Sequence, residues 1–215
     1  MLYDILLISK YVFSIFGLSI LTSYSICSLT NTPFFNPKSS SKEIVSTLID
    51  SATNLSILGT EVIISAVFYH SYLDNISHSL IQTCLNIIKY SLWIEIFYYG
   101  YHRLLHTSSF YLIIHSQHHK HQHVYPIDTI NINWLDSTGM VATLIAPIWL
   151  VKVNLLEYNI IMYIYLTGAF LTHSRLISNR HSIHHEKYKC NYCFLFPIFD
   201  YLFGTLVVEG TPGSP

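Results

Sequence analysis

The chain has 215 residues, of which 51% are hydrophobic and only 11% charged, against about 25% charged in an ordinary globular domain. So little charge cannot cover a water-facing surface, which excludes an ordinary soluble domain. The formal net charge of −1 gives no basis for a nucleic-acid partner or an acidic substrate.

Residues 5–29, from Ile5 to Leu29, are apolar apart from Lys10 and small hydroxyl residues. That length crosses a bilayer core of about 30 Å. No small-residue cleavage site follows Ser25-Ile26-Cys27-Ser28, so the segment is read as a retained anchor and not as a signal peptide. Pro33, Pro37, the serine run and two lysines between Asn31 and Lys42 oppose a helix and predict a loop. Apolar runs from about Ala52 to Leu73 and from about Leu80 to Tyr101 follow, both long enough to span.

Two shorter runs, 138–153 and 157–172, flank Asn154-Leu155-Leu156-Glu157 and predict a helical hairpin that crosses the membrane or dips into it. Lys38 and Lys42 lie in the first loop, Arg103 and Lys120 follow the third run, and Arg175, Arg180, Lys187 and Lys189 follow the hairpin. By the positive-inside rule all three segments face the cytosol, with the N-terminus in the lumen. The chain divides into a membrane anchor region, 1–89, with two apolar spans and a polar loop, a histidine-bearing region, 90–206, and a tail, 207–215.

Thirteen residues are histidine, eleven of them from His102 onward. His102-Arg103-Leu104-Leu105-His106 puts two imidazoles one turn apart on a helix face, the spacing by which one helix supplies two metal ligands. His115-Ser116-Gln117-His118-His119 and His181-Ser182-Ile183-His184-His185 each place histidines at i, i+3 and i+4, which can converge on one helical face. A lone buried histidine is usually a satisfied core residue, and His70 and His78, with no partner pattern, are read so. Eight at ligand spacing exceed what one four-coordinate ion can use and point to two metals. Imidazole suits iron, zinc, copper and nickel alike, but only a redox-active ion such as iron activates O₂ for attack on a C–H bond.

Those boxes, with Asn191-Tyr192 and Phe199-Asp200-Tyr201-Leu202-Phe203-Gly204-Thr205, resemble the fatty acid hydroxylase and sterol desaturase superfamily over roughly residues 90–206. The resemblance implies an all-α integral membrane protein of about four transmembrane helices with a cytosolic histidine-rich metal-binding cap. It further implies two non-haem iron ions, O₂-dependent hydroxylation or desaturation of a lipid, cytochrome b5 or a reductase as electron donor, and the endoplasmic reticulum. Only eight residues separate His106 from His115, a spacing that favours the hydroxylase and sterol branch over the acyl-CoA desaturases. His115 to His119 with Tyr125-Pro126-Ile127 is similar to sphinganine C4-hydroxylases, while Tyr101 to His106 is equally similar to methylsterol monooxygenases and sterol C5-desaturases. Where many members carry His-Pro-x-Glu, this chain has Asn133-Trp134-Leu135-Asp136.

Relatives often place a further histidine before the third box, which implies His173 as a ninth ligand. The expected metal set is then His102, His106, His115, His118, His119, His173, His181, His184 and His185. His121 and His123 stay outside it, as surface residues or as donors that orient ligand imidazoles. Cys190 and Cys193 have no second pair to complete a zinc or redox site. The competing class is a non-catalytic membrane protein that binds or moves a metal, which needs polar side chains along a path; Asp50, Glu61, Asp74 and Glu95 are scattered instead.

Overall fold

The computed structural model describes residues 2–209, so residues 210–215 of the expected tail lie outside the described residues. The long helices are α1 (Leu2–Leu29), α2 (Ser41–Tyr69) and α3 (Leu80–Leu105). The shorter ones are α4 (Ser108–Phe110), α5 (Trp134–Ile145), α6 (Leu155–Thr172), α7 (Arg180–Lys187) and α8 (Ile198–Leu202). Their ends follow local chemistry. Asn31 turns left-handed at φ 55° after α1, and Ser40 and Glu43 cap α2 reciprocally, side chain to backbone N–H in each direction. Asn154 and Glu157 do the same for α6.

α1 packs on α2 and α6, α5 on α2 and α3, and α3 on α6. These five helices enclose a core that includes Val12, Phe16, Leu58, Tyr90, Ile94, Ile145, Ile161 and Tyr165. α1, α3 and α6 end, and α2 and α5 begin, at one end of the bundle. There Phe34 of the first loop packs with Ile127, Ile130 and Phe170, and the Ile127 N–H reaches the Phe34 carbonyl at 3.3 Å. The first loop therefore shares an end with both histidine-rich segments. At the other end the Asp74 N–H donates to the Val153 carbonyl at 2.8 Å.

Among the described residues, three stretches are long and apolar enough to cross a membrane: Leu6–Leu29, Ser41–Tyr72 and Leu155–Thr172. Only 17% of the most apolar window of Ser41–Tyr72 is buried inside the protein. Ile49, Ile64 and Phe68 point outward, a surface that suits lipid and not water.

The expected span from about Leu80 to Tyr101 does not pass the same test. α3 has the length, but Gln82, Asn86, Lys89 and Glu95 lower its hydropathy. The hairpin also differs from expectation in its first arm, which starts earlier, as α5, and tightens into a 3-10 turn over Ala146–Trp149 because Pro147 cannot continue the α-helical ladder. With 12 residues, α5 is about 18 Å long and cannot cross alone.

Candidate metal centre

The first box closes α3: His102 lies in its last turn and His106 is its C-cap. The second box is not a regular α-helix. His115 ends a π-turn, Tyr111–His115, and His118 and His119 open a 3-10 turn. His173 caps α6, and α7 carries the third box.

These elements bring all nine expected histidines into two groups. His102, His106, His115, His119 and His184 form one; His118, His173, His181 and His185 form the other. Within each group the ligand nitrogens lie within 4.8 Å of one another. The second and third boxes do not each converge on one point, as their spacing had led us to expect. In every box the i,i+4 pair stays together (102 with 106, 115 with 119, 181 with 185), while His118 and His184 turn to the opposite group. Residues three apart point to different sides of the i,i+4 row, so the second and third boxes each serve both groups, while the first serves the five-histidine group alone.

The hydrogen bonds of the rings show what these groups can hold. His102 Nδ1 faces the Tyr192 carbonyl at 2.9 Å, and His115 Nδ1 faces the Asp136 carboxylate at 2.7 Å. Both acceptors require an N–H, so in the neutral imidazoles both Nε2 atoms are bare lone pairs. Yet those two atoms sit 3.1 Å apart. Two lone pairs at that distance repel unless a cation lies between them. Two imidazoles at about 2.0–2.1 Å from one ion place their nitrogens about 3.0–3.4 Å apart.

The pattern recurs. His184 Nδ1–H donates to the Cys190 carbonyl at 2.6 Å, and its Nε2 meets His119 Nε2 at 3.1 Å. His185 Nδ1–H donates to the His121 carbonyl at 3.1 Å, and its Nε2 meets those of His181 and His118 at 3.1 and 3.3 Å. His173 donates to the Ala169 carbonyl at 2.8 Å, and its Nε2, like that of His106, is buried without a hydrogen-bond partner among the described residues. Burial, reinforced by the neighbouring His115, pushes the His106 pKa down to about 3, and burial pushes His173 down to about 4 and His185 down to about 2. Neutral imidazole is the form that binds metal, so the donor set fits two ions.

An outer layer fixes the rings. Asp136, at the position of the departure from His-Pro-x-Glu, accepts the His115 Nδ1–H and also accepts from the Tyr101 hydroxyl at 3.2 Å. A Cβ added at Gly139 would collide with the Tyr101 ring, so glycine there admits that contact. The carbonyls that orient His102 and His184 belong to the loop Cys190–Cys193. Asn191, left-handed at φ 56°, anchors that loop through its side chain to the Arg180 carbonyl and to the N–H and carbonyl of Val207. Cys190 and Cys193 are buried free thiols.

The other histidines stand apart. His121 contributes its carbonyl to His185, and its ring bonds Asp128 at 3.0 Å. His123 and His70 are exposed. His78 reaches Glu157 at 2.8 Å at the far end of the bundle. Two positions went unrecognised in the sequence. Asp136 looked only like a departure from a motif, and Glu95, fully buried, accepts the N–H groups of Phe194, Leu195 and Phe196.

On the membrane side of the histidines lies a cavity of about 40 Å³, bounded by His115, His118, His173 and His181 and by Tyr98, Met140, Ala169 and Phe194. On the other side, His119 and Tyr188 line a polar groove of about 770 Å³.

Fold and site together define a helical membrane protein with two buried all-histidine groups that could hold metal ions, set between a small cavity and a polar groove. The chain belongs to the fatty acid hydroxylase family, whose profile matches residues 87–205. It is similar to very-long-chain aldehyde decarbonylase GL1-6 from Oryza sativa subsp. indica and subsp. japonica. In each case the two chains are 24% identical over 138 residues, covering 52% of this chain and 21% of the rice protein. This chain thus corresponds to about a fifth of those relatives' length. No solved structure matches it at comparable significance.

Proposed function

We propose that this protein is a membrane-bound, non-haem di-iron oxygenase that hydroxylates or desaturates a lipid with O₂ and electrons from cytochrome b5 or a reductase. The observation that carries this reading is the pair of facing Nε2 lone pairs on His102 and His115, together with close Nε2–Nε2 contacts in both histidine groups beside a small cavity. The five-histidine group would hold one iron and the four-histidine group the other. Bound iron supplies activation of O₂ toward an unactivated C–H bond.

The chain's own residues hold and shield that chemistry. Asp136 and the Tyr192 and Cys190 carbonyls keep the ligand tautomers fixed. Tyr98, Met140 and Phe194 exclude water from the membrane side and set a lipid carbon against the four-histidine group.

α3 is the proposed fourth membrane helix. It turns Asn86, Glu95 and His102 inward and Leu85, Ile88, Leu92 and Leu104 outward, the reverse of a soluble amphipathic helix. Its inward polar residues are what lower its hydropathy. The lysines and arginines near the metal end support a cytosolic orientation of the boxes, and the membrane of this proposal is that of the endoplasmic reticulum.

A non-catalytic metal carrier is less well supported, because the buried carboxylates of Glu95, Asp136 and Glu157 are all engaged in hydrogen bonds within the protein. The test is to purify the protein with iron and reductant, measure its metal, and compare lipids from cells with and without it. About two irons per chain and a lipid that gains one oxygen or loses two hydrogens are expected. His118→Ala should abolish the change in lipid. Zinc-only protein with unaltered lipids would overturn the reading, and a product one carbon shorter would favour the chemistry named for the rice relatives.

A further inference from the structure

A second cavity, of about 100 Å³, lies between α1, α2, α5 and α6 in the half of the bundle away from the histidines. Phe16, Val62, Leu144, Ile148 and Met162 are among its walls. The space is only partly enclosed and its walls are almost wholly apolar, which suits an apolar chain better than water. Met140, one turn beyond Asp136 on α5, lines this cavity and also the smaller one bounded by His115, His118, His173 and His181, and no other described residue lines both.

The two spaces therefore meet at one side chain. Methionine is unbranched and has three rotatable bonds, so it can move aside for an apolar group and refill the gap afterwards. A flexible chain can thread such a passage, whereas a rigid ring system cannot bend around Met140 or fit the narrow space beside four imidazoles.

We propose that the two cavities form one binding site for an unbranched aliphatic chain. The chain passes Met140 and lodges its far end among α1, α2, α5 and α6, and the carbon to be oxidised stops beside the four-histidine group. This rests on the lipid-oxidising reading above and narrows its substrate class to single-chain lipids, excluding sterols. Met140 is the specificity-determining residue.

The test is photolabelling of the purified full-length chain in detergent with a long-chain fatty alcohol that carries a diazirine at its terminal carbon, followed by peptide mapping. Label is expected on the walls of the far cavity, such as Val62, Leu144 or Ile148. In Met140→Trp this labelling should fall by roughly tenfold, since a filled passage admits no chain. Label on the outward-facing Ile64 should stay unchanged, and Met140→Ala should label the cavity at least as well as the native chain. If Met140→Trp does not fold, Val62→Trp, which fills the far cavity from α2, carries the same expectation.

Label confined to outward-facing residues, undiminished cavity label in the folded tryptophan variants, or a sterol that displaces the probe would each overturn the proposal. Cavity labelling without any lipid oxidation would sink the oxygenase reading and leave the chain site standing. Oxidised lipid with no label in the cavity would do the reverse.

Discussion

The Asp200 carboxylate accepts the backbone N–H of Tyr192 at 2.8 Å, and the carbonyl of that same Tyr192 accepts His102 Nδ1–H at 2.9 Å. Asp200 also takes the Cys193 N–H at 2.9 Å and the Thr205 hydroxyl at 2.7 Å. One carboxylate thus sets the loop whose carbonyls orient His102 and His184. Asp200→Asn keeps the shape but leaves one oxygen to accept where two did. Metal affinity of the five-histidine group should fall roughly 10–100-fold, as for other outer-layer partners of metal ligands. The four-histidine group should keep its metal, because none of its rings bonds this loop. Chelator competition on the purified protein measures both, and equal loss from the two groups would contradict the assignment.

The groups differ in how many ligands they can spare. His106→Ala leaves four histidines in its group, whereas His181→Ala leaves three in the other. With closed four-coordinate sites as the guide, His181→Ala should lose more metal than His106→Ala, approaching half the native content. Elemental analysis of the two variants, prepared side by side, decides it. The opposite order would mean that the five-histidine group is the weaker holder.

Acid should destabilise the metal-free protein. Burial holds His106 at about 3, His173 at about 4 and His185 at about 2 in the fold, while the unfolded chain takes up protons near pH 6.5. Between those values the unfolded state binds more protons, so the unfolding free energy rises with pH. Stability is full above about pH 6.5 and falls on acidification, by up to about 1.4 kcal/mol per pH unit for each such histidine. Metal also needs neutral imidazoles, so loading the protein should steepen the fall. Thermal unfolding in detergent between about pH 8 and about pH 5 follows it, and a protein more stable at the acid end would refute the argument.

Much of the centre was legible because ligand spacing is a local property. His102 with His106, and His181 with His185, lie four apart on helices, and the chain alone fixes that they share a face. The division into two groups was not legible, since His118 and His184 are assigned by where distant elements dock. Asp136 went unrecognised because the motif suggested glutamate, although a shorter carboxylate still reaches His115. Glu95 read as a stray charge in an apolar run. Its partners, the N–H groups of Phe194, Leu195 and Phe196, are about a hundred residues away, and no periodicity connects them. The hydropathy of α3 mixes two faces: its inward polar residues serve the interior, and an average along the helix cannot separate them from the outward face.

His78 tests whether a histidine outside the boxes matters to the fold alone. Its Nδ1 lies 2.8 Å from Glu157 and its Nε2 3.5 Å from Asp74, so it bridges the α2–α3 connection to the start of α6. Asn86 of α3 completes the cluster, with its amide 3.2 Å from Glu157. Glu157 is fully buried. In His78→Ala it keeps Asn86 and the Asn154 N–H but loses its closest side-chain partner, which should cost about 1–3 kcal/mol. Metal content should be unchanged, because the cluster sits at the end of the bundle away from the histidine boxes. A lower melting temperature with native metal content is therefore expected from unfolding scans paired with elemental analysis. Metal loss at native stability would show instead that the two ends of the bundle are coupled.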